Sequence, residues 1–149
     1  MKILVTGSGT NIGNNIAEKL LKCNQQVICM YHKRVPKNLA KFKKSHLMKV
    51  DLKKKILHNF DVDVLIHCAS ATPEKYREKH FNKINIDGFR KLLKKLNPKS
   101  LKKIILISSI AIYEDNDEKL ITENTKPKFH SKYALSKFKQ DQVLKNFSN

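Results

Sequence analysis

Tyr133-Ala134-Leu135-Ser136-Lys137 sets a phenol and a primary amine four residues apart. On a helix that spacing brings both side chains to one face. A phenol of unperturbed pKa about 10 becomes a usable acid/base near neutrality when a neighbouring cation favours its phenolate. The same spacing also describes a structural pair on a solvated face, so alone it leaves both readings open. Thr6-Gly7-Ser8-Gly9-Thr10-Asn11-Ile12-Gly13 follows an apolar run and precedes a helical pattern. Glycine there permits a tight turn and close approach of a pyrophosphate, to which a helix N-terminus offers free N–H groups and a positive dipole end. A glycine turn of this kind also occurs in α/β proteins without such a ligand. Ser108-Ser109 ends a third informative segment, at the carboxyl end of an apolar run where open α/β sheets place their ligands. Each of the three is ordinary by itself. Their order and spacing together are what a nucleotide-binding architecture requires.

The elements that must position these groups are readable from periodicity. Ile3-Leu4-Val5 is a short strand, and Ile12, Ile16, Ala17, Leu20 and Leu21 recur on one helical face, with Asn24 as the stop. Residues 26–31 form a second strand and residues 46–50 a third, separated by a basic loop containing Pro36 and a short helix. The nearly continuous apolar run at 62–68 predicts a central strand covered on both faces. A long helix is expected over 74–96, a fifth strand over 103–108, a polar loop through Pro127 and a last helix over 131–147. Alternating strands and helices predict an α/β doubly wound parallel sheet of Rossmann type with about five strands and right-handed crossovers.

A chain of 149 residues accommodates one domain, expected over residues 1–149, and excludes two full ones. No apolar stretch reaches the roughly 18 residues of a membrane span, and Met1-Lys2 leads directly into the first strand without a secretory h-region. Cys23, Cys29 and Cys68 are odd in number and lack C-x-x-C spacing, which argues against a disulfide framework or a zinc site. A cytoplasmic protein with reduced thiols and no metal is expected. The net charge of +18 raises polyanion binding as a function class. Against it, only Arg34, Arg77 and Arg90 among the 31 basic residues are arginine, and the lysines are scattered without interleaved aromatics. A solvated lysine surface, with no specific nucleic acid and no membrane partner, is the expectation.

With these residues in hand, the chain resembles the extended branch of the short-chain dehydrogenase/reductase superfamily, the NAD(P)-dependent nucleotide-sugar epimerases, dehydratases and reductases. The resemblance rests on Thr6-Gly7 and Ile12-Gly13, Asp51-Leu52, His67-Cys68-Ala69, Asn85-Ile86-Asp87-Gly88, Ser108-Ser109-Ile110-Ala111-Ile112-Tyr113 and Tyr133/Lys137. It implies that Tyr133 is the acid/base, that Lys137 binds the nicotinamide ribose and lowers the phenol's pKa, and that Ser109 hydrogen-bonds the reacting oxygen. It further implies that Gly7, Thr10, Asn11 and Ile12 line the pyrophosphate, Asp51 and Leu52 the adenine, and Ala69 and Ser70 the ribose and nicotinamide side. The implied activity is that of a nucleotide-sugar epimerase or ketoreductase. A non-catalytic dinucleotide-binding module and, less strongly, a lysine-rich polyanion binder are the alternatives.

The chain departs from the family pattern in four places. Thr10 stands where the family's turn has glycine, with the extra glycine at Gly9, and Asn11 is expected to tolerate a left-handed conformation there. The second strand ends Tyr31-His32-Lys33-Arg34 without the carboxylate that holds the ribose of NAD, which favours NADP with Arg34 near its 2′-phosphate. Ile110-Ala111 replace the acidic pair of the sugar dehydratases, disfavouring dehydration. His67 and Cys68 are expected to be packing residues. The family's C-terminal substrate-binding part is expected to be absent, leaving the fifth strand as a bare edge that points to a homodimer or a complementing chain.

Overall fold

A computed structural model describes residues 1–116 and 120–148; residues 117–119 of the expected polar loop and residue 149 lie outside the described residues. Strands β1 (Lys2–Thr6), β2 (Gln26–Tyr31), β3 (Ser45–Lys49), β4 (Val64–His67) and β5 (Lys103–Leu106) form one sheet in the order β3-β2-β1-β4-β5. Every neighbouring pair is parallel. After β3 the chain crosses back to add β4 on the other side of β1, so the strand order reverses between β1 and β4. That reversal opens a crevice at the carboxyl ends of the strands.

β1 explains why the sheet is double-sided. Ile3, Leu4 and Val5 are all buried, and because successive side chains alternate faces, they feed two separate cores. Leu4 joins Phe60, Leu65, Phe81, Phe89 and Leu92 on one face. Ile3 and Val5 join Ala17, Leu21, Val27, Leu39 and Ile66 on the other. Helix α1 (Asn11–Lys22) covers the second core with Ala17 and Leu21. It ends as the sequence implies: Asn24 takes φ 62°, and the N–H groups of Asn24 and Gln25 donate to the carbonyls of Leu21 and Leu20.

Three expectations about elements are corrected. Ile12 does not share the buried face of α1 but is 55% exposed, because the buried stripe runs through Gly13, Ala17 and Leu21, each four residues from the next. Helical structure does not start at residue 74. Glu74, Lys75, Arg77, Glu78 and Lys79 are exposed and give the segment no apolar face to bury, so only a 3₁₀ turn (Glu78–His80) precedes the helix. The helix proper is a π-helical run, Asn82–Gly88, continuing into α2 (Phe89–Leu93). Third, β4 and β5 end short of the residues expected to close them, and Ser108 and Ser109 lie beyond β5. β5 is the outer strand of the sheet; among the described residues nothing pairs with its outer side.

Helix α3 (Lys132–Ser148) starts on a built cap. The Glu114 carboxylate accepts hydrogen bonds from the N–H groups of His130 (3.0 Å) and Ser131 (2.7 Å), and the Ser131 hydroxyl accepts from Ala134 N–H at 3.1 Å. Both suit the positive end of the helix dipole. Among the described residues no helix is long and apolar enough to cross a membrane.

Phe89 is completely buried, and its ring stacks on His67 at a centroid distance of 4.4 Å. Phe89→Ala is expected to destabilise the fold by about 3–5 kcal/mol, read from the shift of the urea midpoint. A loss below about 1 kcal/mol would contradict the placement of this ring at the centre of the core.

Candidate functional site

The crevice is organised by a threonine. Thr6, paired with His67 across β1 and β4, is fully buried. Its hydroxyl accepts from the N–H groups of Cys68 and Ala69, both at 3.1 Å, and its own proton faces Nδ1 of His67 at 2.9 Å. With both acceptor positions of the hydroxyl filled, His67 Nδ1 is the acceptor and the ring proton sits on Nε2, which has no partner among the described residues. Burial pushes the His67 pKa down to about 3, helped by the Lys137 ammonium, so the imidazole is neutral near pH 7. His67 is a packing residue, as expected. Cys68 is half-buried, and burial pushes its thiol up to about 11.

The glycine turn lies against this junction. Gly7 adopts φ +70°, and a Cβ there would sit 2.9 Å from the backbone nitrogen of Ala69. Gly7, not Asn11, takes the left-handed conformation; Asn11 is the first residue of α1. A Cβ on Gly13 would lie 2.4 Å from the Gly7 carbonyl oxygen, so the helix can approach the turn only with glycine there. Thr10 fits the place of the missing glycine because its φ is −108° and both its N–H and its hydroxyl donate to the Gly7 carbonyl, at 2.8 and 2.7 Å. No side chain caps the N-terminus of α1, and no acidic residue stands in its first turn. The leading N–H groups, at exposed Asn11 and Ile12, are left for an anion, which is the fit a dinucleotide pyrophosphate requires.

Beyond β2, Arg34 is exposed and its carbonyl oxygen lies 2.2 Å from where a Gly9 Cβ would be, so Gly9 lets the segment after β2 close over the turn. Asp51 Oδ1 accepts from Lys53 N–H at 2.9 Å, and Oδ2 lies 3.6 Å from Nε2 of His32. Leu52 is buried against Gly88.

The opposite wall is tied together by an amide that the residue-type reading left outside the site. Asn85, fully buried in the π-helical run, accepts from Ala71 N–H (2.7 Å), donates to Ala71 C=O (3.2 Å) and donates to Ser136 Oγ (3.0 Å). Ser136 donates in turn to the Tyr133 carbonyl at 2.7 Å, and Ser70 Oγ donates to Asn85 Oδ1 at 3.2 Å. The loop after β4 and the Tyr/Lys segment of α3 are thereby held to one another. The signal in the sequence is a lone polar Asn85 between the apolar Ile84 and Ile86, a pattern that burial turns into an obligation to bond.

Lys137 is 1% exposed, and its Nζ donates to the Ile107 carbonyl beyond β5 at 2.9 Å. Burial lowers its pKa to about 8, while Asp141 and Cys68 act in the other direction. Burial pushes the Asp141 carboxyl up, opposed by a hydrogen bond from the Ser108 hydroxyl at 2.8 Å. Ser109 accepts from Ala111 N–H at 3.2 Å as the cap of a 3₁₀ turn, Ile110–Tyr113. Tyr133 packs edge-on against Phe81 at 5.7 Å. Among the described residues no hydrogen bond joins the Tyr133 hydroxyl to Ser109 or Lys137. The structure thus brings Gly7, Ala69, Ser70, Lys137 and the Tyr133 backbone to one carboxyl edge, and leaves Ser109 bonded to Ala111 N–H and Lys137 to the Ile107 carbonyl and the Gln140 side chain instead of to the phenol. Beside β5 and α3 a groove of about 630 Å³ is lined by Leu106, Ile112, Tyr113, Phe138, Asp141 and Leu144 among others.

The NAD dependent epimerase/dehydratase family matches residues 3–149. The chain belongs to that family. A UDP-glucose 4-epimerase of Lactobacillus helveticus is 28% identical, over 97% of this chain and 46% of its own length. Among solved structures, UDP-glucuronic acid 4-epimerase from Bacillus cereus, in complex with NAD, superposes with a TM-score of 0.84 at 23% identity, covering 99% of this chain and 52% of that one. UDP-glucose 4-epimerase from Bifidobacterium longum, in complex with NAD+ and UDP, gives 0.84 at 25% identity, covering 98% and 48%. The chain therefore spans about half the length of the relatives it matches. Both of those structures hold NAD, whereas the expectation from the basic end of β2 was NADP.

Because the folded state excludes the proton that the unfolded His67 takes up below its ordinary pKa of about 6.5, stability falls as pH drops from there towards 3. Between pH 6 and 4 the native chain is expected to lose about 2–3 kcal/mol more than His67→Gln, measured by urea unfolding at each pH. Parallel losses in the two proteins would show that His67 is not the buried neutral group described.

Proposed function

We propose that the chain is the dinucleotide-binding portion of a nucleotide-sugar epimerase or ketoreductase, with Tyr133 as acid/base and Lys137 as the cation beside the nicotinamide ribose. The observation that carries this reading is the joint occupancy of one carboxyl edge by an uncapped helix N-terminus, at Asn11 and Ile12, and a buried lysine, Lys137. The pyrophosphate would lie on the turn formed by Gly7, Thr10, Asn11 and Ile12. Ala69 and Ser70 would bound the nicotinamide side, Asp51 and Leu52 the adenine. A bound nicotinamide supplies the hydride acceptor and donor. The chain's own residues do the rest: Ser109 orients the sugar oxygen, Tyr133 takes or returns its proton, and the Lys137 ammonium favours the phenolate.

The finer choice of dinucleotide follows from β2. It ends at Tyr31 with no carboxylate for a 2′-OH, and exposed Arg34 stands beside the turn, which supports NADP. The NAD in the related structures supports the other choice. The open edge of β5 and the adjoining groove offer further polypeptide, a homodimer partner or a complementing chain, a place to complete a site for a nucleotide sugar.

Calorimetric titration of the chain with NADPH and NADH tests the reading. Binding of NADPH at least about tenfold tighter than NADH is the expected result, since an Arg–phosphate contact is a charge-assisted pair. Equal affinity, or preference for NADH, removes Arg34 from the site; failure of both to bind removes the proposal. Tyr133→Phe is expected to keep the affinity within about twofold and to lower the rate of UDP-glucose-dependent cofactor reduction by about 10²–10⁴. Binding without any such turnover in the parent chain would favour a non-catalytic dinucleotide-binding module.

A further inference from the structure

Gln140 lies one turn beyond Lys137 on α3, and it is fully buried. Its Oε1 accepts from Lys137 Nζ at 2.5 Å, while its Nε2 has no hydrogen-bond partner among the described residues. A buried amide with an orphan N–H group costs free energy that an apolar side chain of the same size would not. The contact with the ammonium is what the side chain gives in return. A lysine ammonium carries three donors. Two of them go to neutral oxygens, the Ile107 carbonyl and Gln140 Oε1, which leaves one for a ligand.

We propose that Gln140 is a positioning residue that clamps the buried Lys137 ammonium against the Ile107 carbonyl, so that one N–H remains directed at a ligand on the carboxyl edge of the sheet. That the ligand is the dinucleotide ribose rests on the function proposed above; the clamp itself does not. The charged and titratable groups around the ammonium make the glutamine matter. Asp141, from the same helix, is engaged by the Ser108 hydroxyl and faces Lys145 as well. From the end of β4, Cys68 and His67 are both neutral near pH 7, the thiol held up and the imidazole held down by burial. Neutral oxygens therefore replace the water that burial removes from the cation, and Gln140 supplies one of the two that bond it.

The test reads Lys137 directly. In a chain carrying ¹³C-labelled lysine, the resonance missing from Lys137→Met identifies the side chain, and its titration midpoint is followed by NMR. The native midpoint is expected near 8. Gln140→Leu removes the acceptor and is expected to lower it by about one pH unit or more, whereas Gln140→Glu supplies a carboxylate and raises it. A purely structural role would disturb both variants in the same direction. Midpoints that stay in place, or that move together, overturn the proposal; where the leucine variant does not fold, Gln140→Met serves in its place. The alkaline limit of NADPH affinity is expected to move in parallel with the midpoint. If the midpoints shift in opposite directions while neither NADPH nor NADH binds any form, the clamp stands and the proposed function falls.

Discussion

The side-chain amide of Asn85 is the constraint on which the carboxyl edge depends. The π-helical segment Asn82–Gly88 carries one buried polar side chain, and burial obliges that group to find partners. It finds them in both backbone groups of Ala71 and in Ser136, so the loop after β4 and the helix bearing Tyr133 and Lys137 are set relative to each other by a single amide. Thr6 performs the matching service on the other flank, bonding the backbone of Cys68 and Ala69 to the end of β1. Between them the two side chains fix the loop at 68–71 from both sides. The glycine turn packs directly on that loop.

Charge at this edge is arranged by exclusion of water. The chain's many cations are mostly solvated, where screening and side-chain entropy leave each of them weak. Lys137 is different because it is buried, and its ammonium is solvated by protein oxygens in place of water. His67, a few residues of sheet away, is kept neutral by the same burial. A neutral imidazole beside a retained ammonium and an open helix N-terminus makes an edge that attracts negative charge without packing further cations into the core. The net charge of +18 by itself said nothing about where such an edge would be.

Local chemistry decided the fold wherever a single physical preference was sufficient. The apolar run Ile3-Leu4-Val5 had to be a strand, Asn24 was able to end the first helix, and the alternation of elements had to give a parallel sheet; each held in the structure. Residues 74–80 misled because Tyr76 and the charged residues around it follow no stripe that the sheet can bury. Ile12 misled because the stripe that packs on the sheet runs through Gly13, Ala17 and Leu21, and a glycine leaves no apolar signal in the period. Asn11 tolerates a left-handed conformation but does not take it; Gly7 does, at φ +70°, where the close approach of Ala69 leaves no room for a Cβ.

Residue types and spacing along the chain were enough to point to the family and the fold class, since both follow from short-range patterns, and they named the groups proposed to meet a dinucleotide. Which atoms those groups touch was decided by the tertiary structure. Nothing in the spacing of Tyr133 and Lys137 indicates that the ammonium turns inward to Ile107 and Gln140, or that Asn85 bridges 51 residues to Ser136. Such contacts join segments far apart in the chain, and they exist because burial strips water from polar groups and leaves them only the partners that the packed sheet brings within reach.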